Sequence, residues 1–413
     1  MIVVGGGAAG MLAAGFAAAQ GARVLLLEKM PRLGLKLAIT GKGRCNLTNT
    51  AELDDFLARF GRNGRFLRQA LQAFGPEELR TFLAELGLET TVERGGRVFP
   101  AGSEGAPGVV VCLRSWLREL GVKIRQRSPA EELPVRSGCL RGVEVEGEFF
   151  PAAAVVLATG GASYPATGSN GAGYRLAAAL GHRIIPPRPA LVPLVTDGLR
   201  PEHPVGLNLR NVAVRLLLDG KKRRELFGEV SFTADGLGGP TILTLSGEAV
   251  AALDAGRKVV VALDLKPALD ARKLDLRLQR DFRERCREPA AAILRGLLPR
   301  ELLPAALAAA GLDPHCRGSE IPAVARKKLR SWLKDLRFDI VMSRPLAEAI
   351  VTAGGLDLRE VDPRSMASRK CPNLFFAGEL LDLQADTGGY NLQAAFATGR
   401  LAGIAAAGLS LKA

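Results

Sequence analysis

Two periodicities alternate along this chain. Residues 2–4 are a short apolar run, 8–20 read as an alanine-rich helix, and 23–27 are a second apolar run. Short apolar runs bounded by glycine predict strands buried on both faces, so the chain opens with a β-α-β unit. Amphipathic helical spacing follows at 76–86 and 105–120. Short β-prone pieces around 122–150 (VKIRQ, CLRGVEVEGEFF) suggest a meander, and 153–158 is again a buried strand, ending in Thr159-Gly160-Gly161.

After His182 the character changes. Prolines at 186, 187, 189 and 193 mark a crossover into another domain. Residues 191–263 alternate apolar and polar (NVAVRLLLD, KVVVALDL), which predicts an antiparallel sheet or barrel. Residues 267–337 are helical and basic, strands resume near 340, and 374–377 is a buried strand leading into a glycine-rich C-terminal helix.

At 413 residues the chain is too long for one core, so two or three domains are expected. Apolar residues at 47% and charged residues at 24% describe an ordinary globular protein, and no apolar run is long enough to span a membrane. Residues 1–10 lack a basic leader and read as strand and turn, not a signal peptide. The six cysteines (45, 112, 139, 286, 316 and 371) form no C-x-x-C pair, and the three histidines (182, 203 and 315) are far apart. That spacing argues against a metal site or a disulfide framework and for a reducing, cytoplasmic setting.

Net charge is +14, and residues 266–344 hold 18 Lys/Arg against 10 Asp/Glu. A basic surface draws polyanions such as nucleic acid, although arginine also serves simply to solvate helices.

The sharpest motif is Gly5-Gly6-Gly7-Ala8-Ala9-Gly10, a G-x-G-x-x-G between strand and helix. Gly5 permits the tight turn, Gly7 lets backbone approach a pyrophosphate, and Gly10 packs helix on strand. Ala8 and Ala9 open the helix, whose N–H groups and positive dipole end suit phosphates. Glu28 ends the next strand, with Lys29 beside it, where a carboxylate accepts both ribose hydroxyls of an adenosine.

Three further features favour FAD over NAD. The loop GLKLAITGKGRCNLTN (34–49) follows the second strand and is suited to run beneath a pyrophosphate toward a flavin. Thr159-Gly160-Gly161 gives small residues at a strand end. Finally, Phe376-Ala377-Gly378-Glu379 is followed by Thr387-Gly388-Gly389-Tyr390-Asn391 and a helix. The carboxylate suits a ribityl chain, and the helix N-terminus suits the N1–C2=O edge of a reduced flavin.

With these motifs assembled, the chain resembles the bacterial flavoproteins of the YhiN/BaiN/RdsA group, NAD(P)/FAD-dependent oxidoreductases also described as aminoacetone-oxidase-family enzymes. The resemblance runs nearly end to end. It rests on VVGGGAAGMLAA, KLAITGKGRCNLTN, GRVFP, ATGGASYPATGSNGAGYRLAAALGH, RPALVPLVT, SFTADGLGGPTILTLS, VTAGGL and FFAGELLDLQADTGGYNLQAAFATG.

It implies an α/β fold, α+β overall: a discontinuous glutathione-reductase-like FAD-binding Rossmann domain (1–187 and 341–413), a β-barrel-like insert (188–265) and a basic helical subdomain (266–340). Gly5, Gly7, Gly10, Glu28, Lys36, Thr40, Gly43, Arg44, Cys45, Asn46, Thr159, Gly160, Gly378, Glu379, Gly389, Tyr390 and Asn391 are thereby expected to line FAD. Ala8, Ala9, Lys29, Ala130 and Gly161 join them.

The chain departs from the family where F-T-H-x-G-x-S-G-P becomes Phe232-Thr233-Ala234-Asp235-Gly236-Leu237-Gly238-Gly239-Pro240. Asn170, Ala172 and Gln384-Ala385 are further departures. Ala234 neither donates nor accepts a proton, so substrate handling is where these changes act.

The chemistry expected is hydride transfer through flavin N5. Cys45 and Tyr390 are the candidate catalytic residues: Cys45 as proton donor or as packing beneath the flavin, Tyr390 as stacking partner or donor. No second G-x-G-x-x-G is present, so NAD(P)H, if it is the reductant, docks transiently. The substrate is either a uridine of ribosomal RNA, reduced to dihydrouridine, or a small enone or amine. An RNA-binding protein with structural FAD is the non-enzymatic alternative. Lys221–Arg224 reads as a solvated turn, whereas Arg326-Lys327-Lys328-Leu329-Arg330, with Trp332 and Lys334, sets an aromatic among charges and is the better polyanion contact.

Overall fold

The computed structural model describes residues 1–197 and 204–411; residues 198–203, which include His203 and part of the alternating stretch, lie outside them, as do 412–413. Two compact units result, one of residues 1–190 and 346–413, the other of 191–345.

The first unit is built on a five-stranded sheet in the order Leu374–Phe376, Val155–Leu157, Ile2–Val4, Leu25–Glu28, Lys123–Gln126. All four pairings are parallel. The three strands IVV, VVL and LFF are buried throughout, as a sheet covered on both faces requires. Strand order runs outward in one direction from Ile2–Val4 to Leu25–Glu28, and in the other to Val155–Leu157. The crevice at the carboxyl ends of those diverging strands is where doubly wound sheets bind ligands. Gly5 and Ala158 leave their strands side by side there, Ala158 N–H donating to Val4 O at 2.8 Å.

The helix Ala8–Ala19 is buried on most of its circumference because two partners share it, the sheet and the C-terminal helix Tyr390–Ser410. Small residues make that double burial feasible. A Cβ on Gly399 would stand 2.2 Å from Ala9 O, and one on Gly403 would stand 2.2 Å from Ala13 O. The two backbones therefore touch, with no side chain between them.

The segment 122–150 is not one meander. Lys123–Gln126 joins the parallel sheet as its edge, while Gly142–Val145 and Glu148–Pro151 form a separate antiparallel hairpin. Alternation along a half-exposed strand reports which face is wet but not which neighbour it meets, and tertiary pairing decides that.

In the second unit six antiparallel strands close a barrel: Leu194–Thr196, Gly236–Gly238, Lys221–Phe232, Asn208–Leu218, Val259–Asp264 and Leu336–Ser343, the last returning to the first. The expected α/β architecture with an inserted barrel is thus what the chain adopts. Within the stretch that alternation suggested was all β, residues 240–254 are instead a helix, Pro240–Asp254. Proline at its first position starts it, and Ile242, Leu245, Ala249 and Val250 recur at helical spacing on its buried face. Between Asp264 and Leu336 the chain makes three longer helices, Ala271–Glu284, Leu303–Ala310 and Ala323–Lys334, with Leu274, Leu278, Leu307, Leu329 and Leu333 buried. Strand resumes at Leu336, slightly before the position the pattern indicates, because Lys334 Nζ bonds the carbonyls of Lys266 (3.1 Å) and Leu269 (2.7 Å) and turns the chain back beside the strand it left.

The helix contact yields a prediction. Gly403→Val forces a branched side chain into backbone and should cost about 1–3 kcal/mol or more. Gly408→Ala, where a Cβ meets nothing within 4 Å, should be neutral or gain about 0.5–1 kcal/mol. Thermal unfolding followed by circular dichroism checks both, and equal melting temperatures for the two variants would contradict the contact.

Candidate functional site

The turn from the first strand into the first helix divides its glycines by job. A Cβ on Gly5 would lie 2.5 Å from Ala158 O, and φ there is +105°. A Cβ on Gly10 would lie 1.7 Å from Gly5 O, whereas one on Gly7 would meet nothing within 4 Å. Packing therefore accounts for Gly5 and Gly10, and the open side of Gly7 fits close approach by a ligand. The helix beginning at Ala8 has no side-chain cap and no acid in its first turn, so the N–H groups of Ala8, Ala9 and Gly10 keep their positive end free for an anion.

Glu28 is 8% exposed and anchored at both oxygens: Gly6 N–H donates to Oε2 at 2.7 Å and Met30 N–H to Oε1 at 2.8 Å. Burial pushes its carboxyl above the usual carboxylate range, against those two hydrogen bonds. Each oxygen retains a lone pair for a hydroxyl donor, the group a ribose presents. Lys29 Nζ donates to Asn170 Oδ1 at 2.6 Å. Ala130 follows Ser128, whose N–H donates to Glu28 O at 3.0 Å, so its segment passes beside the same strand end.

The loop 34–49 meets the C-terminal helix directly. Asn46 Oδ1 accepts from Gly389 N–H at 3.1 Å, and Asn49 Nδ2 donates to Gly388 O at 3.1 Å. A Cβ on Gly389 would be 2.3 Å from Thr48 O, which fixes glycine there. Asn391 clamps the approach to the helix, accepting from Ala385 N–H at 2.8 Å and donating to Ala385 O at 3.0 Å. This second helix N-terminus also lacks an acid and a side-chain cap. Thr40 Oγ1 donates to Leu37 O at 2.7 Å, and Gly43 opens to free space. Arg44 pairs with Glu93 and lies 4.2 Å over the Phe99 ring.

The expected residues converge most tightly at Glu379. Its Oε2 accepts from Lys36 Nζ at 2.6 Å, and its Oε1 accepts from Ser163 Oγ (2.9 Å) and Thr352 N–H (2.8 Å). Lys36 Nζ also reaches Ser163 Oγ at 2.6 Å, and Thr352 Oγ1 accepts from the N–H groups of Ala162 (2.8 Å) and Ser163 (3.1 Å). Ser163 and Thr352 are site-building residues that motif spacing did not single out, although both sit inside segments, TGGASYPATG and VTAGGL, that carry the resemblance. Gly161 is packed against Thr352, and Gly160 against Ser169. Thr159 stands beside Gly5 by its backbone, while its buried hydroxyl faces Gly173 and has no hydrogen-bond partner among the described residues. Gly378, at φ +73°, donates to Thr398 Oγ1 at 3.0 Å and brings its backbone against Ala9.

The two candidate proton carriers differ in setting. Cys45 is 0% exposed, at φ +61°, and burial pushes its thiol up to about 12. Tyr390 packs edge-on to Phe56 at 4.8 Å with Arg59 over its ring at 5.6 Å, and burial raises its phenol as well. Both stay protonated at neutral pH. Nearby, burial raises the carboxyl of Asp382, which accepts from Asn63 Nδ2 at 3.2 Å. Among the described residues no three His, Cys, Asp or Glu side chains gather as metal ligands would, and no helix is long and apolar enough to cross a membrane.

The model of the HI0933-like protein Rossmann domain matches residues 1–405. The chain is 35% identical over 417 positions, 98% of each protein, to the 3-dehydro-bile acid delta(4,6)-reductase of Clostridium scindens. It is 29% identical over 400 positions to the ribosomal RNA dihydrouridine synthase of Escherichia coli, covering 96% of this chain and 95% of that one. Among solved structures, a flavocytochrome c3 fumarate reductase matches with a TM-score of 0.54 at 18% identity, over 99% of this chain and 78% of its own. The 3-ketosteroid-delta4-(5alpha)-dehydrogenase of Rhodococcus jostii matches at 0.52 and 17% identity, over 98% and 96%. At those identities the likeness to the two structures is one of fold.

Two outcomes test the geometry. In a double-mutant cycle of Lys36→Met and Glu379→Gln, coupling should exceed about 1 kcal/mol, since the pair is close and half-buried; an additive result would dissolve the node. In the native protein at pH 8, a thiol reagent should modify the exposed Cys139 and spare Cys45, whose thiol is buried and stays un-ionised up to about pH 12. Rapid labelling of Cys45, mapped by peptide mass spectrometry, would contradict its placement.

Proposed function

This chain belongs to the HI0933-like Rossmann-domain family, and from that premise we propose that it is an FAD-dependent reductase of a carbon–carbon double bond conjugated to a carbonyl, with uridine in ribosomal RNA as substrate. The observation that carries the cofactor assignment is the split among the glycines of the first turn, two consumed by packing and Gly7 open, at the strand-order reversal of the sheet.

The reaction class rests on chemistry shared by the two relatives' names. Dihydrouridine forms by saturating the C5=C6 bond of uracil, conjugated to the C4 carbonyl, and a delta(4,6) double-bond system beside a 3-ketone is the same functional group extended. Among macromolecular substrates, RNA accords with the net charge of +14 and with outward lysines on the helix Ala323–Lys334.

FAD, when bound, supplies hydride chemistry at its ring. The chain's own residues do the rest. Glu28 would accept the ribose hydroxyls, the helix starting at Ala8 would offer its N–H groups to the pyrophosphate, and the helix starting at Tyr390 would offer its N-terminus to the flavin. The node at Glu379 holds Lys36 and the 159–163 loop around the cofactor's path. Saturating uracil also requires a proton at C5. Tyr390 carries one at its Oη at neutral pH, and we assign it that role ahead of Cys45, which full burial leaves as packing. NAD(P)H, docking transiently, is the reductant in this reading.

A second reading, reduction of a small enone, is favoured by the 35% identity over 98% of the chain to the bile acid reductase. Mass spectrometry of ribosomal RNA nucleosides from cells with and without the gene separates the two. A dihydrouridine that vanishes with the gene and returns with it supports the RNA substrate; identical nucleosides exclude it and leave enone turnover by the purified protein as the test. Tyr390→Phe, restored to the deleted strain, should lower dihydrouridine by about 10²-fold in rate while FAD absorbance is retained, the usual scale for losing a positioned proton donor. Unchanged modification would remove Tyr390 from the chemistry.

A further inference from the structure

The helix Ala323–Lys334 (AVARKKLRSWLK) carries five basic residues and no acidic one, and they divide by their partners. Arg326 and Arg330 turn toward Asp275, at 3.1 and 3.6 Å, and Lys334 toward Asp264 at 2.5 Å. Those three hold the helix on its neighbours. Lys328 stands on the opposite side of the helix and Lys327 on its flank; both are exposed and have no ion pair among the described residues. With Val324, Ser331, Trp332 and Ala309 they line an open depression of about 560 Å³.

Trp332 makes this face unusual. The chain has only two tryptophans, and the other, Trp116, also half-exposed, packs on two aromatic rings, Phe16 and Phe82, at 5.3 and 4.9 Å. Trp332 is half-exposed, one helical turn from Lys328, and faces the small side chain of Ala309 across the depression. Val324, another turn back, is 65% exposed. This face therefore sets an indole and an isopropyl group beside two ammonium groups that have no ion pair among the described residues. It matches what an unpaired nucleotide offers: a π-face to stack on the indole, and phosphates on either side for the lysines.

We propose that this face is a docking site for single-stranded RNA, in which a base stacks on Trp332 and the flanking phosphates contact Lys327 and Lys328. It rests on the RNA reading of the substrate and adds where the chain grips that RNA. Duplex RNA fits less well, because its bases are already stacked on one another and leave no free face.

The test uses the full-length flavoprotein and a short fluorescein-labelled oligouridylate, followed by anisotropy across a salt series. Lys327→Ala/Lys328→Ala should lower the slope of log K against log salt by about 1.4, the loss of two phosphate contacts to a single strand. Trp332→Ala should weaken binding by about fivefold or more with the slope unchanged, the mark of a lost stacking contact. Lys221→Ala/Lys222→Ala, on the barrel hairpin, is the control and should change neither quantity. Unaltered binding in the helix variants, an equal loss in the control, or tighter binding to phosphatidylserine vesicles than to the oligonucleotide would each overturn the site. The lysines are exposed and Trp332 is half-exposed, and matching melting temperatures verify that the variants fold. Ribosomal RNA from cells carrying the variants separates this proposal from the one it rests on. If dihydrouridine depends on the gene yet is made normally by the helix variants, only the docking site is wrong; if it never depends on the gene, the substrate reading is wrong.

Discussion

One carboxylate holds together parts of the chain that sequence keeps far apart. Glu379 receives an ammonium from Lys36, a hydroxyl from Ser163 and a backbone N–H from Thr352. These groups come from the loop after the second strand, the end of the fourth, and the segment that returns after the barrel. Hydrogen bonds to a charged group contribute about 1.5–3 kcal/mol each, well above a neutral one, and here they share a half-buried acceptor. The geometry of the crevice depends on this closure, because Glu379 ties the loop bearing Lys36 and the turn after Val155–Leu157, themselves joined by the bond from Lys36 to Ser163, to the backbone of Thr352.

Backbone proximity supplies the rest of the scaffold. Gly5 lies against Ala158, Gly389 against Thr48, and Gly399 and Gly403 against the first helix. At each of these places a methyl group would collide with main chain, so the elements meet without side chains as spacers. The helices run parallel at that contact, Gly399 against Ala9 and Gly403 against Ala13, so their N-termini, both without acids or side-chain caps, point the same way. Fixed dipoles aimed at a site need no rearrangement when a charged ligand arrives, which is the physical advantage of building a cofactor cradle from backbone.

Around that cradle burial acts on several acidic groups in one direction. Burial raises Cys45, Tyr390, Asp382 and Glu28 alike. A low-polarity surround strengthens any hydrogen bond formed in it, and the Cys45 thiol and Tyr390 phenol keep their protons at neutral pH. The charged groups of the second unit follow the opposite rule. Arg326, Arg330 and Lys334 are spent on internal carboxylates, and the charge left over lies outward at Lys327 and Lys328.

Much of this was legible in the residues themselves. The glycine turn, the carboxylate closing the second strand, and the alternation that becomes a barrel follow from local rules of period and steric size. Those rules act within a few residues, so they survive without knowledge of the partner. They were insufficient for the helix Pro240–Asp254, where a helical period lay hidden in an alternating stretch, and for Lys123–Gln126, whose parallel partner no local pattern names. They also passed over Ser163 and Thr352, ordinary hydroxyl residues until the fold sets them against Glu379. The sequence by itself determined most of the elements and the glycine turn; only tertiary structure decided which distant groups share a proton or a charge, because hydrogen bonds act over a few ångströms of space and not along the chain.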